Sequence, residues 1–177
     1  MMSSLIKLDE ETISSAVSSV SLGASDWDSS YNVYKVIYSN VSVSASNTID
    51  IQFLANGSAN TSANYSMSAR NFWSGGGDAN NSAVDNTDIA LGNTINTGSN
   101  QQSNAHIYLF NFNDAGEYSF ITFEETAYNP DVVGRQGGGV LKVSQANNGV
   151  LFKAGTGNMN SGKFTLYGLK KWLDIIW

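Results

Sequence analysis

The chain has 177 residues, of which 41% are hydrophobic and only 14% charged, and its formal net charge is −6. Nine scattered Lys and Arg residues give no electrostatic footprint for nucleic acid or for an anionic membrane, and the absence of cysteine excludes disulfides and thiolate metal sites. With so little charge, Ser, Asn, Thr and Gly must supply the wet surface. That composition favours strands and turns over long surface helices, in a chain long enough for one domain with a sizeable core.

The opening residues lack the basic stretch and long apolar run of a secretion signal, and no window reaches the ~18 apolar residues of a membrane helix. The expectation is a protein made in a cytoplasm that acts elsewhere only through assembly or lysis. Residues 1–11 read as an arm, with Leu5, Ile6 and Leu8 set among polar neighbours ahead of Asp9, Glu10 and Glu11. Such an arm pairs with its own sheet, docks on a neighbour, or frays. Residues 12–170 read as a single β-sandwich or jelly-roll domain, and 171–177 as an apolar tail.

Within the domain, Thr12–Leu22 is a weak strand and 23–30 a loop. Tyr31–Val43 is the clearest strand of the first half and is apolar on both sides, as a strand between layers or against a subunit would be. Thr48–Leu54 alternates Ile49, Ile51 and Phe53 with Asp50 and Gln52, predicting one buried and one wet face. Asn56-Gly57 is a turn signal. Asn64–Phe72 is a strand, Ser74–Asn86 a loop opened by three glycines, Asp88–Ile95 a short strand, and 96–104 a second polar loop. Ala105–Phe112 and Glu117–Thr126 form an antiparallel hairpin over Asn113-Asp114-Ala115-Gly116. The only proline, Pro130, marks a loop. The glycine-rich stretch 134–139 reads as a flexible loop or a close backbone approach.

Val140–Val143 and Gly149–Ala154 are short strands. The turn Ser161-Gly162 then hands over to a closing strand. There Phe164, Leu166 and Gly168 face one way, and Thr165, Tyr167 and Leu169 the other. Gly168 interrupts the apolar face as though another backbone passes close by. Roughly ten short antiparallel strands, spaced ~10–15 residues apart, predict an all-β sandwich or jelly roll.

Signals for chemistry are weak. The single histidine, His106, sits in a strand pattern, and no G-x-S-x-G elbow accompanies it. Asp26, Asp28, Asp114, Glu117, Glu124 and Glu125 include no pair whose spacing singles out a glycosidase. Asp78, Asp85 and Asp88 lack the D-x-D-x-D-G spacing of a calcium loop. The glycine runs do not continue into Gly-Lys-Ser/Thr. The chain therefore reads as a non-enzyme without catalytic, metal or cofactor site. Trp27, Tyr31 and Trp73, in or near loops, are candidates for a sugar-stacking platform; the competing reading puts them in the core or an interface.

Three segments carry a resemblance. Phe164-Thr165-Leu166-Tyr167-Gly168-Leu169-Lys170, after a turn, resembles the end of small all-β virion proteins of tailed bacteriophages, marine and cyanobacterial ones in particular. Asp26-Trp27-Asp28-Ser29-Ser30-Tyr31-Asn32-Val33-Tyr34-Lys35-Val36 resembles the W-D-x-x-Y-x-x-Y-x-(V/I) segment of the same group. Ile107-Tyr108-Leu109-Phe110-Asn111-Phe112-Asn113 and Phe72-Trp73 fit its strand positions. The tail 171–177 departs from the group, whose chains often stop soon after the Y-G-L-K segment.

The resemblance implies a capsid decoration (cement) or appendage protein of the virion. Such a protein would form a homo-oligomer, a trimer, on the particle exterior, with its own copies and the major capsid or other virion proteins as partners. Leu5, Ile6 and Leu8, with Trp172, Leu173, Ile175, Ile176 and Trp177, are then the candidate contacts. The alternative is a carbohydrate- or receptor-binding module of a head or tail fibre, with a host surface glycan on Trp27, Tyr31 and Trp73. A glycan hydrolase, a third reading, needs two acids in one cleft.

Overall fold

The structure, a computed structural model, describes residues 5–169. Trp172, Leu173, Ile175, Ile176 and Trp177 lie outside the described residues. The strands are β1 (Leu5–Ile13), β2 (Ser19–Gly23), β3 (Val33–Val43), β4 (Ile49–Ala55), β5 (Ser58–Ala59), β6 (Tyr65–Trp73), β7 (Asp78–Asn86), β8 (Ile89–Ala90), β9 (Ser103–Phe110), β10 (Ser119–Asn129), β11 (Asp131–Leu141), β12 (Gly149–Ala154) and β13 (Met159–Leu169). They form two antiparallel sheets: an eight-stranded one ordered β1-β13-β3-β9-β10-β11-β6-β7, and a smaller one ordered β2-β12-β4-β5 with β8 also on β4. This is the all-β sandwich that the alternation and turn spacing predict.

Apolar side chains meet between the sheets. Tyr34, Val36, Tyr38, Ile107, Leu109, Ile121, Phe123, Phe164 and Leu166 from the large sheet join Leu22, Ile49, Ile51, Phe53, Val150 and Phe152 from the small one in a single buried cluster. Aromatic rings lock the layers. Phe152 lies 5.1 Å from Phe164 and 6.1 Å from Tyr38, centroid to centroid. Offset or edge contacts of this kind add ~0.5–1.5 kcal/mol beyond burial.

The closing strand β13 is inserted between β1 and β3. Phe164 and Leu166 point inward as the alternation predicts. What crowds Gly168 is a ring rather than a backbone: a Cβ there would stand 2.5 Å from Tyr31 ring atoms.

Two further expectations are corrected, and of the two readings of the glycine stretch the close backbone approach holds and the flexible loop does not. The polar stretch 74–86, read as a loop, contains β7, paired along β6 at the sheet edge. Almost all of β7 is exposed, so no apolar face left an alternating signal; backbone pairing alone makes it a strand. The glycine run 137–139 is the middle of β11. A Cβ at Gly137 would meet Ala69 Cβ at 2.5 Å, and one at Gly139 would meet Ile89 Cδ1 at 2.6 Å, so inward packing requires both glycines. Finally, β4 has no wet face. Asp50 and Gln52 are buried, Gln52 Nε2 donates to the Thr87 carbonyl at 2.9 Å, and Thr48 Oγ1 donates to Asp50 at 2.6 Å.

Candidate functional site

The small sheet covers one face of the large sheet. The other face carries every second side chain of β3, β9, β10, β11 and β6, and the register aligns these in ranks across the strands. One rank reads Val33, Phe110, Phe120, Val140, Ser66. The next reads Lys35, Tyr108, Thr122, Gly138, Ser68. A third reads Ile37, His106, Glu124, Gln136, Arg70. Beyond it lie Asn104, Thr126, Gly134 and Phe72, then Tyr128 and Val132. The two ends of the face are apolar and wet, with Phe120 43% exposed at one end and Phe72, Tyr128 and Val132 exposed at the other. The middle is polar.

A depression of about 280 Å³ lies in that middle, lined by His106, Tyr108, Thr122, Glu124, Gln136 and Gly137. Gln136 Nε2 donates to Glu124 Oε1 at 2.9 Å, and His106 Nε2 lies 3.4 Å from Glu124 Oε2. Lys35 Nζ sits 5.0 Å from the centroid of the Tyr108 ring, on the β3 side. Arg70 is paired with Asp78 on β7. Charges at the rim are thus taken up by neighbours, while the Tyr108 ring and the Glu124–Gln136 pair border an open space.

The acids form no such constellation. Glu124 and Glu125 are adjacent in sequence and therefore face opposite sides of the sheet. Glu125 is sealed between the sheets, where burial pushes its carboxyl up to about 7 against the opposing effects of Ser103 and Arg135. Asp28 is held below the usual carboxylate range by the backbone N–H of Ser30, which donates to it at 2.9 Å. Asp78, Asp85 and Asp88 each face a different cation, Arg70, Lys142 and Lys153. Among the described residues no cluster of three or more His, Asp or Glu could hold a metal ion.

The three aromatic candidates are not brought together. Trp27 stacks on Tyr34 at 3.8 Å and on Phe112 at 5.7 Å, and its Nε1 donates to Asn113 Oδ1 at 2.8 Å. Tyr31 packs over Gly168 and edge-on to Tyr34 at 6.2 Å. Both cap one end of the core, beside the β9–β10 connection. Trp73 lies opposite Val133 at the other end of the sheet, most of the length of β10 away, roughly 25 Å at ~3.3 Å per residue.

Of the candidate contacts, Leu5 and Ile6 are 44% and 40% exposed on the edge strand β1. Leu8 falls at the bulge between Lys7 and Asp9 and packs against the core. Leu5 pairs with Leu169. The first and last described residues therefore meet at one corner of the sheet.

The sequence reasoning missed the outer-face depression. Its strands alternate visibly, but nothing in the alternation says which face the second sheet covers. No family model matches the chain, and no curated protein matches it.

Proposed function

We propose that the protein is a non-enzymatic structural component of a tailed-bacteriophage particle, a capsid decoration or appendage protein that assembles as a homo-oligomer, a trimer, on the particle exterior. The observation that carries this reading is the pairing of Leu5 with Leu169 at a sheet edge. It puts the first and last described residues side by side, next to the exposed Leu5 and Ile6 on β1, which among the described residues is the outer strand of the large sheet. A free edge accepts a strand from a neighbour through ladder hydrogen bonds, and flanking apolar side chains add ~25 cal/mol for each Å² they bury. Closed, symmetric assembly is the usual outcome for like subunits. The phage-like segments around Trp27 and Phe164–Lys170 support the setting, and an all-β sandwich suits it. The test is a map of an intact particle. Symmetry-related copies of the sandwich on its exterior, gripping neighbours through the Leu5–Leu169 corner, fit the proposal; a particle without the chain overturns it.

A second reading, a carbohydrate-binding module, is favoured by one specific observation: the depression beside Tyr108 on the uncovered face of the large sheet.

A further inference from the structure

We infer that the depression on the outer face of the large sheet is a saccharide-binding site, built from Tyr108, Thr122, Glu124 and Gln136, which takes an uncharged pyranose chain. The inference rests on the carbohydrate-binding reading and replaces Trp27 and Tyr31, which pack at one end of the core, and Trp73, at the opposite end of the sheet, with a different set of residues.

Two features point to a saccharide. First, the lining combines a ring with fixed hydrogen-bonding groups. The faces of pyranose rings are apolar C–H surfaces and stack on aromatic rings, while their rims carry hydroxyls that need donors and acceptors in fixed places. Here the Tyr108 ring borders the depression, and Glu124 and Gln136 stand side by side on adjacent strands, oriented by their mutual 2.9 Å hydrogen bond. That bond fixes both side chains before a ligand arrives, which limits the ordering cost of binding. The carboxylate has acceptor capacity to spare and the amide keeps its carbonyl oxygen and a second N–H, so the pair can serve neighbouring hydroxyls. Thr122 adds a hydroxyl.

Second, the strand beside the depression carries bare backbone where inward packing does not demand it. Interior glycine costs a strand stability. Gly137 and Gly139 are explained by Ala69 and Ile89 beneath them. Gly138 faces outward, opposite Thr122 and Ser68, and no side chain lies within 4 Å of where its Cβ would be; the one near atom is the Ile121 carbonyl oxygen at 3.2 Å. A side chain there would project beside Thr122, at the border of the depression.

Charge decides the ligand class. Arg70 is paired with Asp78, Lys35 lies over Tyr108, and Glu124 lies between Gln136 and His106. The lining itself contributes one carboxylate, Glu124, and no Lys or Arg, so a sulfated or carboxylated sugar would meet a like charge there. A volume of about 280 Å³ is at the small end for ligand sites and fits one or two rings of a longer chain lying across the strands.

The test uses the full chain on an array of neutral, amino and acidic oligosaccharides, followed by titration of the best neutral binder. Four variants accompany it: Thr122→Trp, which fills the space at an exposed strand position; Tyr108→Ala; Gln136→Ala; and Tyr128→Ala, an exposed aromatic outside the site. Thermal melts check that each variant folds. The expected result is binding to uncharged chains, weakened about tenfold or more by each of the first three substitutions and unchanged by Tyr128→Ala. Binding by the wild type that survives Thr122→Trp overturns this site and leaves the carbohydrate-binding reading standing. Binding to acidic sugars alone overturns the ligand class, and no binding at all overturns both the site and that reading.

Discussion

Glu125 on β10 and Arg135 on β11 stand directly opposite each other in the register, and each is 2% exposed. Ser103 Oγ donates to Glu125 Oε1 at 2.5 Å, and Arg135 Nη1 donates to the Gly92 carbonyl. Glu125 Oε2 and Arg135 Nε have no hydrogen-bond partner among the described residues. Two opposed charges have thus been drawn out of water without full compensation. Desolvation in such a setting rivals or exceeds the attraction between the charges.

The consequence is a pH dependence of stability. Burial raises the Glu125 carboxyl from 4.5 to about 7, so the fold prefers its protonated form. The stabilisation from this preference is complete below the ordinary carboxylate range and is lost as pH rises through about 7. The full swing is about 3 kcal/mol. Asp50, also raised by burial, acts in the same direction. Urea denaturation is expected to give a higher midpoint at pH 5 than at pH 8. Glu125→Gln should flatten most of that slope.

The glycines of the large sheet sort by what lies under them. Gly168→Ala pushes a methyl into the Tyr31 ring, 2.5 Å away, and should cost about 1–3 kcal/mol. Gly137→Ala should cost at least as much, because the obstacles include the backbone carbonyl of Ser68 at 2.6 Å. Gly134→Ala, with nothing nearer than 3.9 Å, should leave stability unchanged within about 0.5 kcal/mol or raise it slightly. Thermal melts of the three variants check this order.

Trp27 belongs to the end of the core, and its removal should register as lost stability. Trp27→Ala strips the stack on Tyr34 and the hydrogen bond to Asn113, for an expected loss of about 2–3 kcal/mol in urea denaturation. Phe120→Ala, on the outer face, should stay within about 0.5 kcal/mol of wild type. Equal, small losses at both positions would mean that Trp27 is not packed as described.

The contrast between these residues also explains what could be read from the sequence. The hairpin of β9 and β10, the strand β3 and the inward row of β13 were legible, because alternation of large apolar residues survives any ambiguity about which face is covered. β7 was not, because an edge strand wet on both faces has no apolar period. Positive φ angles at Asn40 and Asn111 changed the parity of the alternation. Phe112, two residues beyond the outward Phe110, is therefore buried, and both Tyr38 and Val41 point inward. The outer-face depression depends on register across three strands, from His106 and Tyr108 through Thr122 and Glu124 to Gln136, and no local pattern encodes that. Trp27 and Trp73 looked alike as loop aromatics, although the fold sets them at opposite ends.

We propose that copies of this protein join through the corner where Leu5 meets Leu169. Sedimentation of the full chain tests it directly, against a variant that lacks residues 170–177 and carries Leu5→Ser and Ile6→Ser. The full chain is expected to sediment as a closed oligomer near three times its 19.0 kDa mass, and the variant as a folded monomer. A full chain that stays at 19.0 kDa at every concentration, or a variant that assembles as the full chain does, would contradict it.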